Sequence, residues 1–248
     1  SVLGRETAIQ KMRWTEDGWL RKHDGARWPD TCVPAPPGTR GAAPAKRRFH
    51  DDFDGVALNI QWQVPRAPLG SDRYSLSERP GYLRLRGGES PSSRFAVSLV
   101  ARRQQAFGYT AQACLEFLPE SSKQLAGLIC VYNDRAYHYL YVTAADGGGR
   151  ELGILSSADG SETFPIAGSE VELPREGPLY LRVDVDGLSL QFLYAEADDV
   201  RRWVKIGPEL DTSILSDEFG TGWGFTGAFV GLTCQDLAGL GREADFAW

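Results

Sequence analysis

From Phe49 onward, apolar residues recur in short runs, some alternating with polar residues and some continuous. "GYLRLRG", "SRFAVSLVARRQ", "GYTAQACLEFLP", "LAGLICVYND", "AYHYLYVTA", "RELGILSS", "LYLRVDVDGLSLQFLYA", "RWVKIGPEL" and "TGAFVGLTCQD" are each of strand length and bounded by Gly, Pro, Asn or Asp. In "VDVDGLSLQF" the pair Asp186-Gly187 separates two alternating halves, the pattern of a tight hairpin. No long segment carries the helical period. The pattern predicts an all-β fold, a sandwich of two antiparallel sheets.

The first 48 residues read differently. "TAIQKMRWTEDGWLRKHDG" is a strand-turn-strand pattern in which "TEDG" supplies the turn, with Trp14 and Trp19 on either side. Such a hairpin is only marginally stable in water, so residues 1–28 need something to pack on. "WPDTCVPAPPGTRGAAPAKRR" is rich in Pro, Ala and Gly and lacks periodicity, which predicts an extended linker over 29–48. The sandwich then occupies 49–248. The N-terminus is itself unusual. Val2-Leu3, Gly4, Arg5-Glu6 and then Ile9, Met12 and Trp14 read like the interior of a structured element, whereas free termini are usually loose and polar.

Composition narrows the class. The 248 residues include 28 Gly, 14 Pro and 11% aromatics, which favours a turn-rich β protein with ample core. A net charge of -6 argues against nucleic acid or an anionic membrane surface as the main partner. No stretch approaches a membrane span, and these residues include no basic-then-apolar leader, though one could have been removed or could sit on another chain. Cys32, Cys114, Cys130 and Cys234 form no CxxC or Cys/His metal spacing. Cys114 and Cys130 sit in apolar strand settings and read as buried free thiols, which suits a reducing cytoplasm better than secretion.

Several stretches carry a resemblance. "LGRETAIQKMRWTEDGW" resembles the end of the five-bladed β-propeller of family 43 glycoside hydrolases, of the β-xylosidase and α-L-arabinofuranosidase type. "FHDDFDGVALNIQWQVPR", "AGLICVYNDRAYHYLYVT", "LGILSS", "GPLYLRVDVDGLSLQF", "IGPELDTSILSDEF" and "GFTGAFVGLTCQDLAGLGREADF" resemble, in order, the concanavalin-A-like sandwich that follows it there. The resemblance implies that residues 1–28 are the last propeller segment. Most of the propeller would lie on a partner chain or upstream, in a cleaved, two-chain or truncated enzyme. It also implies inverting hydrolysis of terminal xylose or arabinose from xylo- or arabino-oligosaccharides, with no cofactor. The three catalytic carboxylates fall upstream of "GRETA", so no catalytic residue is expected in this chain, which alone would be inactive. The acidic residues here mostly punctuate turns.

Two residues are nonetheless expected at substrate. The resemblance points Arg5 of "GRETA" into the pocket, where a guanidinium can fork hydrogen bonds to sugar hydroxyls or hold a carboxylate ionised, with Glu6 as a structural partner. It also implies that the sandwich lends one aromatic to the pocket mouth, Phe225 or, in reserve, Trp223 of "GTGWGFTGAFVG". The alternative for Phe225 is the start of a core strand, sharing a face with Phe229. Concanavalin-A-like sandwiches often bring first and last strands together. Asp51, Asp52, Asp54 and Asp245 could therefore supply oxygen ligands to a structural Ca2+, the alternative being Asp capping of turns. His138 reads as a sheet residue and His23 as a loop residue. Tyr132, Tyr137, Tyr139 and Tyr141 could line the binding face of a non-catalytic carbohydrate module, and Tyr137, Tyr139 and Tyr141 would share one strand face; a packing layer is the simpler expectation.

Overall fold

The computed structural model describes residues 1–5, 7–39, 41, 48–197, 201–220 and 224–247. Two compact units are present, Glu6–Phe49 and a larger unit comprising Ser1–Arg5 with His50–Trp248. The first five residues thus group with the sandwich.

In the larger unit, one sheet runs Ser161–Thr163, Arg150–Ala158, Ala136–Ala144, Gln124–Asn133, Phe229–Asp236, Ser98–Arg103 and Trp62–Gln63, with Val171–Leu173 also paired to Arg150–Ala158. The other runs Val204–Asp211, Ser189–Glu196, Leu179–Asp186, Gly108–Phe117, Glu243–Ala247, Leu83–Arg86 and Tyr74–Ser75. All pairings between these strands are antiparallel. Among the described residues the single helical element is the 3-10 turn Thr212–Leu215.

The two sheets differ in how they treat water. In Leu179–Asp186, Leu179, Leu181, Val183 and Val185 face the inter-sheet core while Tyr180, Arg182 and Asp184 are half-buried on the other side. That alternation marks a sheet with one dry face. Gln124–Asn133 and Ala136–Ala144 are buried on both faces, which is why their sequences read as continuous apolar runs. Leu128, Cys130, Leu140 and Val142 point into the inter-sheet core. Ile129, Tyr137, Tyr139 and Tyr141 build a second cluster with Val97, Leu99 and Leu155 on the opposite face. Tyr139 and Tyr141 lie with ring centroids 5.6 Å apart, and a Cβ on Gly153 would come within 2.5 Å of the Tyr141 ring. The ring packs over a glycine. The tyrosines are therefore a packing layer rather than an open sugar platform. His138 is buried in the same strand, its Nδ1 2.8 Å from Ser156 Oγ and its Nε2 3.1 Å from the Asp211 carbonyl oxygen.

One local expectation shifts. Asp186 pairs with Ser189, so the hairpin turn is Gly187-Leu188, with Gly187 at φ 59°, rather than Asp186-Gly187. "HDDFDG" forms no strand. Asp51 accepts from the Phe53 N–H at 3.0 Å and from Trp62 Nε1 at 2.7 Å, a turn that stacks Phe53 on Trp62 at 5.9 Å.

The outer face of the second sheet carries an ion-pair ladder. Arg84 lies directly opposite Asp245 and holds it through two bonds, Nε–Oδ1 at 2.7 Å and Nη2–Oδ2 at 2.9 Å. Asp245 also faces Glu116 across the sheet, and Arg79 bridges both carboxylates at 2.9 and 2.7 Å. Burial pushes the Asp245 carboxyl up, but Arg84 and Arg79 together outweigh it and hold it below the ordinary aspartate range.

In the smaller unit, Met12–Trp14 pairs with Leu20–Lys22, and the turn closes through Thr15 N–H to Trp19 O and Gly18 N–H to Thr15 O, both 2.9 Å. His23 follows in a turn. Trp14 and Trp19 are 74% and 68% exposed.

Two outcomes are expected. A depressed carboxyl pKa stabilises the fold above the unfolded value of about 3.9, and that contribution fades as pH falls through the folded value. Asp245→Asn should cost about 2 kcal/mol in urea unfolding at pH 7, because two arginines lose their shared carboxylate charge; the gap to the parent should narrow as pH falls below about 3.9 toward the folded value. The thiols should also separate. Cys114, Cys130 and Cys234 are buried, Cys32 is exposed, and burial pushes Cys114 up to about 11 and Cys130 up to about 12. Ellman's reagent should titrate Cys32 alone in the native protein and all 4 thiols after unfolding.

Candidate functional site

The site is assembled where the first residues of the chain meet the loop before Phe229–Asp236. Val2 is buried in the inter-sheet core, and its carbonyl accepts from the Ala228 N–H at 2.7 Å. Gly4 and Gly227 then pass back to back, both at positive φ (81° and 73°). A Cβ on Gly227 would sit 2.6 Å from Gly4 N, and one on Gly4 3.0 Å from Gly227 N. Only glycine at both positions lets the two backbones touch in these conformations.

This contact sets the next residue. Arg5 is exposed, with its Cζ 4.1 Å from the centroid of the Phe225 ring. Phe225 lies outside the strand that begins at Phe229 and is 49% exposed, so it is not a core-strand residue. The loop is fixed from behind. Gln104 N–H donates to Ala228 O at 2.9 Å, Tyr132 Oη donates to Asp217 Oδ1 at 2.7 Å, and the same Asp217 oxygen accepts from Gly227 N–H at 3.3 Å. Burial, then the neighbouring Asp217, pushes the Tyr132 hydroxyl up to about 12, so it remains a donor across the physiological range.

Chemically, the pair offers a planar five-donor cation stacked on an apolar ring, the latter half open to water. That combination suits a ligand with hydroxyls on its edge and C–H groups on its face. Glu6 and Trp223, the other residues expected here, lie outside the described residues. The acidic group expected to hold Ca2+ is not gathered. Asp51 is spent on Phe53 and Trp62, Asp52 and Asp54 are exposed, and Asp245 is spent on Arg79 and Arg84. Among the described residues no group of three or more His, Cys, Asp or Glu is placed to hold a metal ion.

Residues 50–248 match the family of β-xylosidase C-terminal concanavalin A-like domains of glycoside hydrolase family 43. The chain belongs to glycoside hydrolase family 43. It is 38% identical to the xylosidase/arabinosidase 43B of Humicola insolens, covering 99% of this chain and 46% of that protein, and 37% identical to the β-xylosidase of Bacillus subtilis (strain 168), again covering 99% and 46%. The crystal structure of the xylan β-1,4-xylosidase of Bacillus halodurans C-125 superposes with a TM-score of 0.88 at 40% identity, covering 99% of this chain and 46% of that one. The chain thus spans about half the length of these family 43 relatives.

Sequence reasoning alone did not find the supporting roles of Val2, Tyr132, Asp217 and Gly227. The glycines on both sides of Phe225 were the available signal; the Tyr132–Asp217 bond joins residues 85 positions apart and leaves no local trace. Gly227→Ala is expected to destabilise by about 2 kcal/mol, combining left-handed strain with the backbone clash. Gly239→Ala, also at positive φ (70°) but with nothing within 4 Å of the added Cβ, should cost about 1 kcal/mol. Urea unfolding of the two variants measures the difference.

Proposed function

We propose that this chain is the C-terminal part of a family 43 glycosidase that removes terminal xylose or arabinose from hemicellulose oligosaccharides by inverting hydrolysis. The observation that carries the reading is the Arg5–Phe225 pair, stacked at 4.1 Å on a backbone contact that only glycines permit. The names of the relatives, xylosidases and a xylosidase/arabinosidase, supply the substrate class.

In this reading the sandwich forms one wall of a pocket whose floor belongs to the propeller. The propeller portion, upstream or on a partner chain, carries the general base, the general acid and the carboxylate that tunes it. An inverting pair sits about 6.5–9.5 Å apart to admit the attacking water. One carboxylate takes a proton from that water while the other protonates the leaving oxygen, and the anomeric configuration inverts. Arg5 holds sugar hydroxyls, or one of those carboxylates in its ionised form, through its fork. Phe225 covers the sugar's C–H face and excludes water, which strengthens the polar contacts beneath it. The exposed Trp14 and Trp19 of the hairpin are covered by the remainder of the propeller. On its own this chain holds no complete catalytic set and is inactive.

Phe225→Ala and Arg5→Lys in the assembled glycosidase should each lower kcat/KM for an aryl xyloside or arabinoside by about 10- to 100-fold, with the fold unchanged by circular dichroism. Lysine keeps the charge but loses the fork. Wild-type kcat/KM in both variants would sink the reading.

A further inference from the structure

Tyr132 occupies an irregular place in its strand. The pairing of Gln124–Asn133 with Ala136–Ala144 is regular from Ala126↔Val142 to Val131↔Tyr137, then slips so that Asn133 pairs with Ala136. Tyr132 falls in that slip. Such irregularities concentrate beside functional sites. Here the Tyr132 ring packs against the inter-sheet core on the same side as Leu128 and Cys130, and its hydroxyl reaches the loop that bears Phe225.

That hydroxyl meets the loop directly. A Cβ on Gly224 would overlap the Tyr132 hydroxyl, so the backbone beside Phe225 rests directly on it. Asp217 Oδ1 then takes the Tyr132 hydroxyl at 2.7 Å and the Gly227 N–H at 3.3 Å, closing a clamp on both flanks of Phe225. The anchor beneath is rigid. Asp217 follows the turn Thr212–Leu215, whose Ile214 and Leu215 are buried in the inter-sheet core.

We propose that Tyr132 and Asp217 are positioning residues that set the place of the Phe225 ring, and with it the fit of the terminal sugar, without touching substrate. The proposal rests on the reading that Phe225 covers that sugar. A ring held only by a loop of glycines would sample many positions, and substrate binding would have to order it each time. The clamp places that ordering in the folded protein.

The test is a variant series in the full-length glycosidase, read by steady-state kinetics on an aryl xyloside and by amide hydrogen exchange at Gly227. Tyr132→Phe should raise KM about 3- to 10-fold while kcat stays within about twofold, and should speed Gly227 exchange about tenfold. Asp217→Ala should behave likewise. Asp217→Asn, which keeps the accepting oxygen, should return both readouts to near the parent values. In a Phe225→Ala background, Tyr132→Phe should have no further effect on KM, since its influence passes through the ring. Unchanged exchange in Tyr132→Phe would overturn the clamp itself. Faster exchange with an unchanged KM, while Phe225→Ala still weakens catalysis, would overturn the positioning role and leave the reading of Phe225 standing. If Phe225→Ala has no kinetic effect, that reading fails and the proposal with it.

Discussion

The back-to-back passage of Gly4 and Gly227 is the constraint on which the rest of this architecture turns. Two chain segments more than two hundred positions apart come within backbone contact, both in the left-handed region, with no room for a side chain on either. Because Val2 is sunk in the inter-sheet core and hydrogen-bonded to Ala228, the position of Arg5 is dictated by the sandwich. A flexible arginine thus acquires a defined ring to stack on, and a loop aromatic acquires a fixed neighbour.

The sandwich can act as such a reference body because its two sheets divide the work. The central strands of one are buried on both faces, with Tyr141 packed over Gly153, so they have little freedom to shift. The other has a wet outer face whose carboxylates would repel across the sheet, Glu116 directly opposite Asp245, were Arg79 and Arg84 not laid between them. The candidate site lies at the rim of the doubly buried sheet, at the end of Phe229–Asp236 and beside the slip at Tyr132, where regular pairing stops and side chains can be aimed.

Much of the fold was legible in the sequence because strand patterning is local. Alternation in "LYLRVDVD" gave a strand with one wet face, and continuous apolar runs in "LAGLICVYND" and "AYHYLYVTA" gave strands with none. The "TEDG" turn is where it was expected. What failed did so for physical reasons. Asp186-Gly187 looks like the hairpin turn, but Asp186 still pairs with Ser189, so the turn moves on to Gly187-Leu188. Asp245 looks like a metal ligand until its cross-strand arginine is seen. Arg5 and Phe225 were nominated from family likeness, and the structure brings their side chains together; periodicity could not have done so, since one precedes the strands and the other falls between them. The Tyr132–Asp217 clamp was invisible because each half is unremarkable in its own neighbourhood.

The most direct measurement is a crystal structure of the full-length family 43 protein soaked with xylose or xylobiose. The account predicts a terminal sugar with its C–H face against the Phe225 ring and the Arg5 guanidinium within hydrogen-bonding distance of a sugar hydroxyl or of a carboxylate that contacts the sugar. A sugar bound in the propeller with Phe225 and Arg5 turned to bulk solvent would contradict it.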